Sequence, residues 1–325
     1  MIISRTPYRI SLGGGGTDLP FYSKDNGAFF ISSAINEYLY VLVTKRPLDP
    51  FILTQTTYVQ FSEKLTEIKD NYIREVLKYF NIKDSVQVGV YSTMPTSSGI
   101  GLGSSSSLTV GLIKALSKYK KLKLSNLKIA RIAFKIEREV LAEPGGCQDQ
   151  YISALGGIKK FIVNKKGNIS YSNLKIPLSN MKKLEKKIVM VYSNKQRDSK
   201  KIIKSQTLNT NKAIKCYDKI KAIGKESEEY LINADIKSLG KMFNEHWEIK
   251  KTISNTISNN YIDQQYKQFL QNGAIGGKLI GAGGGGFFLL ISDKSTNKLK
   301  KYLMNNDYVT LDWNFEMNGS LYLNN

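Results

Sequence analysis

Pro95-Thr96-Ser97-Ser98-Gly99-Ile100-Gly101-Leu102-Gly103-Ser104-Ser105-Ser106-Ser107 runs straight into a segment with Leu108, Leu112, Ile113 and Leu116 at helical spacing. Three glycines and a serine run thus feed a helix start, where backbone N–H groups and the positive end of the helix dipole converge. The expected occupant of such a point is an anion, and Ser104 and Ser105 add hydroxyl donors or a metal ligand. A serine-rich N-cap without a ligand is the alternative. The stretch lacks the lysine of a G-x-x-x-x-G-K-[ST] phosphate loop. Nor does an acidic residue close a following strand about 20 residues on, as a dinucleotide fingerprint requires.

Two further glycine-rich segments flank it at a distance: Pro7-Tyr8-Arg9-Ile10-Ser11-Leu12-Gly13-Gly14-Gly15-Gly16-Thr17-Asp18, and Gly276-Gly277-Lys278-Leu279-Ile280-Gly281-Ala282-Gly283-Gly284-Gly285-Gly286-Phe287-Phe288. Glycine allows close backbone approach to a ligand at an entropic cost, so three such loops imply backbone built around phosphate and a polyol. Residues 1–12 alternate as a strand, and Phe29–Ile31, Tyr38–Val43 and Val86–Ser92 are β-branched or aromatic strand runs. Helices are expected over 104–118 and, from the N-cap Ser125, to about Leu141. Gly156-Gly157-Ile158 and the lysine-rich stretch behind it end a first domain, 1–165. Lys187–Tyr192 is a buried strand of the second, 166–325. Residues 200–270 are mainly helical, 273–291 return to loop plus strand, and a helix at 295–304 precedes strands near 308–315 and 320–323. Strands and helices mix without strict βαβ alternation, so the class is α+β.

The 325 residues carry a formal charge of +21, which raises nucleic acid, anionic membrane and anionic metabolites as partners. The excess is lysine; arginine occurs only at 5, 9, 46, 74, 131, 138 and 197. Base and phosphate recognition draws on arginine's planar fork, and the lysines are scattered, so a solvated surface is the simpler reading. Apolar runs stay far below the ~18 residues of a membrane span, and the N-terminal residues show no signal peptide. Two cysteines, Cys147 and Cys216, suit a reducing cytoplasm and cannot build a disulfide framework.

Glu137 falls on the apolar stripe of Ala130, Ala133, Phe134, Val140 and Leu141, whereas Arg138 and Glu139 point to the surface. A carboxylate facing a core needs a cation, either a metal ion or the basic partner of a structural salt bridge. In Gly145-Gly146-Cys147-Gln148-Asp149-Gln150-Tyr151, Asp149 either takes a proton from a hydroxyl nucleophile, kept ionised by a cation such as Arg9, or caps the next helix. Cys147 is a small packed residue. The lone His246 lines a substrate pocket or serves packing.

Together these segments resemble the GHMP kinases, the superfamily of galactokinase, homoserine kinase, mevalonate kinase and phosphomevalonate kinase. All three family motifs occur in order across the chain. The nearer likeness is to the sugar-kinase branch, in particular its heptose 7-phosphate kinases, on Thr6–Pro20, Glu143–Tyr151, His246-Trp247 with Lys250, and Gly277–Gly286. The resemblance implies an N-terminal domain like ribosomal protein S5 domain 2, a ferredoxin-like C-terminal domain and a site between them. It assigns ATP phosphates to Pro95, Ser98, Gly99, Gly101, Leu102, Gly103, Ser104, Ser105 and Ser106. Mg²⁺ is implied at Ser105 and Glu137, the catalytic base at Asp149 and its supporting cation at Arg9. Substrate is implied at Gly15, Thr17, Asp18, Gly146, Asp149, Gly283 and Gly284, Asp18 gripping sugar hydroxyls.

The expected reaction is ATP-dependent phosphorylation of the anomeric hydroxyl of a heptose 7-phosphate. Arg197, with Lys200 or Lys201, is the candidate clamp for the 7-phosphate, a surface role being the alternative. Expected partners are the sugar phosphate and ATP, without nucleic acid or membrane, and a homodimer is one assembly open to it. An L-fucose or galactose kinase is the nearest rival, although the Gly-Glu-His-Thr-Asp-Tyr of galactokinases is here Gly-Gly-Gly-Thr-Asp-Leu. A non-catalytic sensor on the same fold and an RNA-binding protein are the rivals of other classes.

Overall fold

A computed structural model describes residues 1–94, 99–207, 210–294 and 296–323. The chain begins with β1 (Ile2–Gly13), α1 (Pro20–Asn26), β2 (Ala28–Lys45), β3 (Ile52–Gln55), β4 (Val59–Ser62), α2 (Asn71–Tyr79) and β5 (Val86–Ser92). It continues through α3 (Ser104–Tyr119), α4 (Asn126–Lys135), α5 (Gln148–Leu155), β6 (Ile158–Val163), β7 (Ile169–Asn173), α6 (Leu178–Lys187) and β8 (Ile188–Tyr192). The helices α7 (Ser199–Ser205), α8 (Thr210–Ile232), α9 (Ile236–Lys251) and α10 (Asn260–Gln271) follow. Then come β9 (Gly276–Leu279), β10 (Phe287–Ile291), α11 (Thr296–Asn305), β11 (Thr310–Leu311) and β12 (Leu321–Tyr322). None of the described helices is long and apolar enough to cross a membrane.

The two runs expected at Phe29–Ile31 and Tyr38–Val43 are one strand, β2, of 18 residues. β1 pairs with Ile31–Ile35 and Tyr38–Val43, its register shifting at Asn36-Glu37, while on the other side β6 covers Ala28–Ser33 and β5 covers Leu39–Lys45. One neighbour thus carries both halves across the polar break, and each half is paired on both edges for part of its length. The resulting sheet runs β12-β1-β2-β5-β3-β4 with the β6–β7 hairpin branching from β2, and only the β3–β5 pair is parallel. A second sheet has the order β11-β8-β10-β9.

The second sheet is buried on both faces, and β10 shows why by simple alternation. Phe287, Leu289 and Ile291 join the core that also holds the first sheet's Tyr8, Ile10 and Val41. Phe288 and Leu290 enter a second core with Tyr217, Trp247 and Phe269 from α8, α9 and α10. The lobes thus share apolar contacts rather than meeting across a linker. The boundary expected at 165/166 falls between the strands of the β6–β7 hairpin, and β12 returns from the chain's end to pair with β1. Mixed helix and sheet in two lobes is the α+β architecture expected.

Candidate active site

Between the lobes lies a cavity of about 850 Å³, lined by the phosphate-loop candidates, the Asp149 loop, the first glycine loop and the third. At one wall α3 begins without a side-chain cap, Gly103 standing in the left-handed conformation with φ 78°. A side chain would be strained there, and the uncapped start leaves the first-turn N–H groups free to meet an anion. The third loop packs against this one: a Cβ on Gly101 would lie 2.9 Å from the Ile280 carbonyl oxygen.

Arg9, on β1, ties this loop to the Asp149 loop. Its Nε and Nη2 donate to the two Asp149 carboxylate oxygens, both at 2.7 Å. Its Nη1 donates to the Gly101 carbonyl at 2.6 Å. Burial acts to raise the Asp149 pKa, but the charge and hydrogen bonds of Arg9, with Arg138 and Arg197 behind, hold it below the usual carboxylate range. Asp149 nevertheless leaves 26% of its side chain exposed, so it can reach a substrate hydroxyl.

Asp18 lies beside the Asp149 loop, buried, its Oδ2 accepting the Gln148 N–H at 2.9 Å. Burial raises its pKa, tempered by that hydrogen bond and reinforced by nearby Asp149. A Cβ on Gly146 would overlap the Asp18 carboxylate, so only glycine fits opposite it.

The helix expected to reach Leu141 ends as α4 at Lys135 and continues as a π-helical turn, Ile136–Val140. Glu137 is buried there, as its place on the stripe implied, but the wider turn changes the direction of its neighbours: Val140 is exposed and Arg138 turns inward. Arg138, expected at the surface, donates to the carbonyls of Glu143, Pro144 and Gly146 at 3.0–3.2 Å and so braces the Asp149 loop. Glu137 Oε2 accepts from Ser106 Oγ at 3.0 Å and Gln150 Nε2 at 2.8 Å, and Arg138 stands 3.7 Å away. The Thr109 hydroxyl donates to the Ser105 carbonyl instead, leaving Oε1 with no hydrogen-bond partner among the described residues. Burial raises the Glu137 pKa.

No group of three or more His, Cys, Asp and Glu gathers among the described residues. One carboxylate with an unpartnered oxygen beside serine hydroxyls and an uncapped helix start fits Mg²⁺, which takes few protein ligands and completes its shell with phosphate and water.

Of the expected residues, Arg9, Gly15, Asp18, Gly99, Gly101, Gly103, Ser104, Ser105, Ser106, Glu137, Gly146, Asp149 and Arg197 line this cavity. Pro95 and Ser98 lie outside the described residues. Four others lie off the cavity wall, and Arg197 is engaged within it. Thr17 is wholly buried and donates to the Gly14 and Phe29 carbonyls, so it holds the first loop's shape. Leu102 is a core residue whose carbonyl accepts the Arg9 N–H. Gly283 and Gly284 face away, packed on Ile257 and Ile202, and Gly281 and Ala282 line the cavity instead. Arg197 spends its guanidinium on the carbonyls of Ile280, Gly283 and Gly285, which makes it a brace for the third loop.

His246 lines the cavity, and so do Tyr72, Lys250 and Lys278. Lys250 had a local signal: with Phe243, His246 and Trp247 it completes an i, i+3, i+4, i+7 face that is otherwise core. Tyr72 had none, since only the packing of α2 beside the π turn brings it in.

The chain matches the family models for the GHMP kinases N terminal domain over residues 71–157 and GHMP kinases C terminal over 227–308. A D-glycero-alpha-D-manno-heptose 7-phosphate kinase of Campylobacter jejuni is 32% identical, the match covering 98% of this chain and 97% of that protein. A solved Campylobacter jejuni chain, 30% identical, superposes with a TM-score of 0.77 over 99% of this chain and 97% of its own. A D-glycero-D-manno-heptose 1-phosphate kinase structure from Bacteroides thetaiotaomicron, 22% identical, shares the fold with a TM-score of 0.83 over 100% of this chain and 99% of its own. The first model spans the α3 start, Glu137 and Asp149, the second Lys250 and the third loop. With identity spread over nearly the whole length of a curated relative and both models matched, the chain belongs to the GHMP kinases, as a sugar kinase of that family.

Proposed function

We propose that the protein transfers the γ-phosphoryl group of ATP to the anomeric O1 of D-glycero-D-manno-heptose 7-phosphate, giving the 1,7-bisphosphate. Such a product would feed GDP-heptose and surface glycan synthesis in the cytoplasm. The observation that carries the reading is the Arg9–Asp149 pair: an ionised carboxylate, fixed by two hydrogen bonds yet open to the cavity, beside an uncapped helix start. The Campylobacter relative supports the choice of sugar.

In this mechanism the O1 oxygen forms a bond to the γ-phosphorus, the bond from that phosphorus to the ADP oxygen breaks, and Asp149 takes the O1 proton. Phosphoryl transfer needs positioning and charge neutralisation more than covalent help. The first turn of α3 and the glycine loop hold the phosphates, while Asp18 accepts hydrogen bonds from sugar hydroxyls. Glu137 and Ser105 would hold the Mg²⁺, whose charge offsets that of the phosphates.

A ³¹P NMR assay with Mg·ATP, offering heptose 7-phosphate, fucose, galactose and mannose separately, tests this. An anomeric phosphate signal only with the heptose phosphate supports it. A signal with a free sugar moves the substrate, and silence with all of them brings back the non-catalytic sensor and RNA-binding readings.

A further inference from the structure

Lys250 and Lys278 line the cavity although both are buried, with 6% and 2% of their surface exposed. Neither forms an ion pair among the described residues. Lys250 Nζ donates to the Gly281 carbonyl, and Lys278 Nζ donates to the Leu12 carbonyl at 3.2 Å and lies 4.4 Å from the centre of the Phe243 ring. Each ammonium has three donors, so both retain hydrogen-bonding capacity. One turn before Lys250 on α9, buried His246 has Nδ1 without a partner among the described residues.

Buried cations without a counter-charge are costly. Burial and positive neighbours pull both lysines down to about 7, Arg197 and Arg9 acting on Lys250 and Lys250 on Lys278. Of the cations first expected at a substrate phosphate, Arg197 gives Nη1 and Nη2 to loop carbonyls, its Nε having no partner among the described residues, and Lys200 pairs with Glu143 at 2.5 Å. The contacts also have an order. Gly281, which Lys250 holds, abuts Gly101 of the phosphate loop, whereas Lys278 is anchored at Leu12, before the first glycine loop.

We infer that Lys250 and Lys278, with His246 beside them, form a second anion site in the cavity, which binds the phosphate monoester already carried by the sugar. The inference rests on the kinase reading above and deepens it: the enzyme selects phosphorylated sugars through two buried lysines. Anion binding supplies the missing counter-charge, so substrate phosphate and the charged lysines stabilise each other.

The test compares kcat/KM for heptose 7-phosphate with kcat/KM for the unphosphorylated heptose, in the natural protein, Lys278→Met and Lys250→Met. The ratio is taken within each protein, so a partly inactive preparation does not distort it. Losing one charge-assisted hydrogen bond should cut the ratio by about 10- to 100-fold, with the loss falling on the phosphorylated sugar. An unchanged ratio in both variants, or a loss expressed as a higher KM for ATP, overturns the inference while leaving the kinase reading standing. Thermal unfolding with inorganic phosphate separates the two claims. If the natural protein fails to phosphorylate the heptose phosphate yet is stabilised by phosphate, and Lys278→Met is not, the anion site stands and the heptose reading falls. Equal stabilisation of both proteins, or none in the natural one, removes the site.

Discussion

The Asp18 carboxylate accepts the backbone N–H of Gln148 at 2.9 Å, one residue before Asp149. The first glycine loop and the loop of the proposed base are therefore held as one unit, and whatever sugar hydroxyls Asp18 grips are fixed in relation to the proton acceptor.

Gly146→Ala breaks this unit, because its Cβ would overlap the Asp18 carboxylate. We expect about 1–3 kcal/mol of destabilisation from the overpacking and a lower kcat/KM for the sugar, while the KM for ATP holds. Steady-state kinetics with each substrate varied, beside thermal unfolding, checks this.

Asp149→Asn retains the shape and loses the base. The expected fall in kcat is about 10²–10⁴-fold, and normal turnover would remove Asp149 from that role. The same variant has a signature in acid. The folded-state pKa of Asp149 lies below its unfolded value, so the pair's stabilisation is fully present above about pH 4. It fades as pH falls through the lower, folded value. Natural and variant proteins should therefore differ in unfolding free energy at neutral pH and converge in acid.

Glu137→Gln separates a metal ligand from a structural ion pair. Gln150, Ser106 and Arg138 surround the carboxylate, yet burial dominates and raises its pKa. Removing that charge should leave the melting temperature unchanged or higher. The Mg²⁺ concentration for half-maximal rate should rise about 10- to 100-fold. Rate against free Mg²⁺ together with calorimetry decides; a lower melting temperature with unaltered Mg²⁺ dependence would make Glu137 structural.

Arg197→Lys tests the brace. A lysine cannot reproduce the planar fork that serves the Ile280, Gly283 and Gly285 carbonyls. Because the third loop packs on Gly101 of the proposed phosphate loop and also lines the cavity, the KM values for ATP and sugar should rise together. A rise confined to the sugar phosphate would return Arg197 to the substrate.

Much of the site was legible because its signals are local. A glycine–serine run ahead of apolar residues at helical spacing marks the α3 start, and Glu137 betrays itself as a charge on an apolar stripe. Reading the stripe one turn further failed, since a π turn changes the angle per residue and no residue type in Ile136–Val140 announces it. The strand pattern predicted β10 but not that β7 would extend the first sheet, because pairing partners are chosen by the sheet and not by the strand.

Composition, periodicity and glycine spacing by themselves determined the α+β class, the glycine-led helix start and the inward carboxylate, each encoded within a few residues of chain. Only the tertiary structure decided which cations remain available to a ligand. The sequence pointed to Arg9 and Arg197 as ligand-side cations and gave Lys278 no local signal of its own. Folding pairs Arg9 with Asp149 and sets Arg197, Lys250 and Lys278 on backbone carbonyls, none of the three in an ion pair among the described residues and both lysines buried. Partners that lie 140 residues apart, as Arg9 and Asp149 do, meet only through sheet and loop packing, so their pairing is a property of the fold.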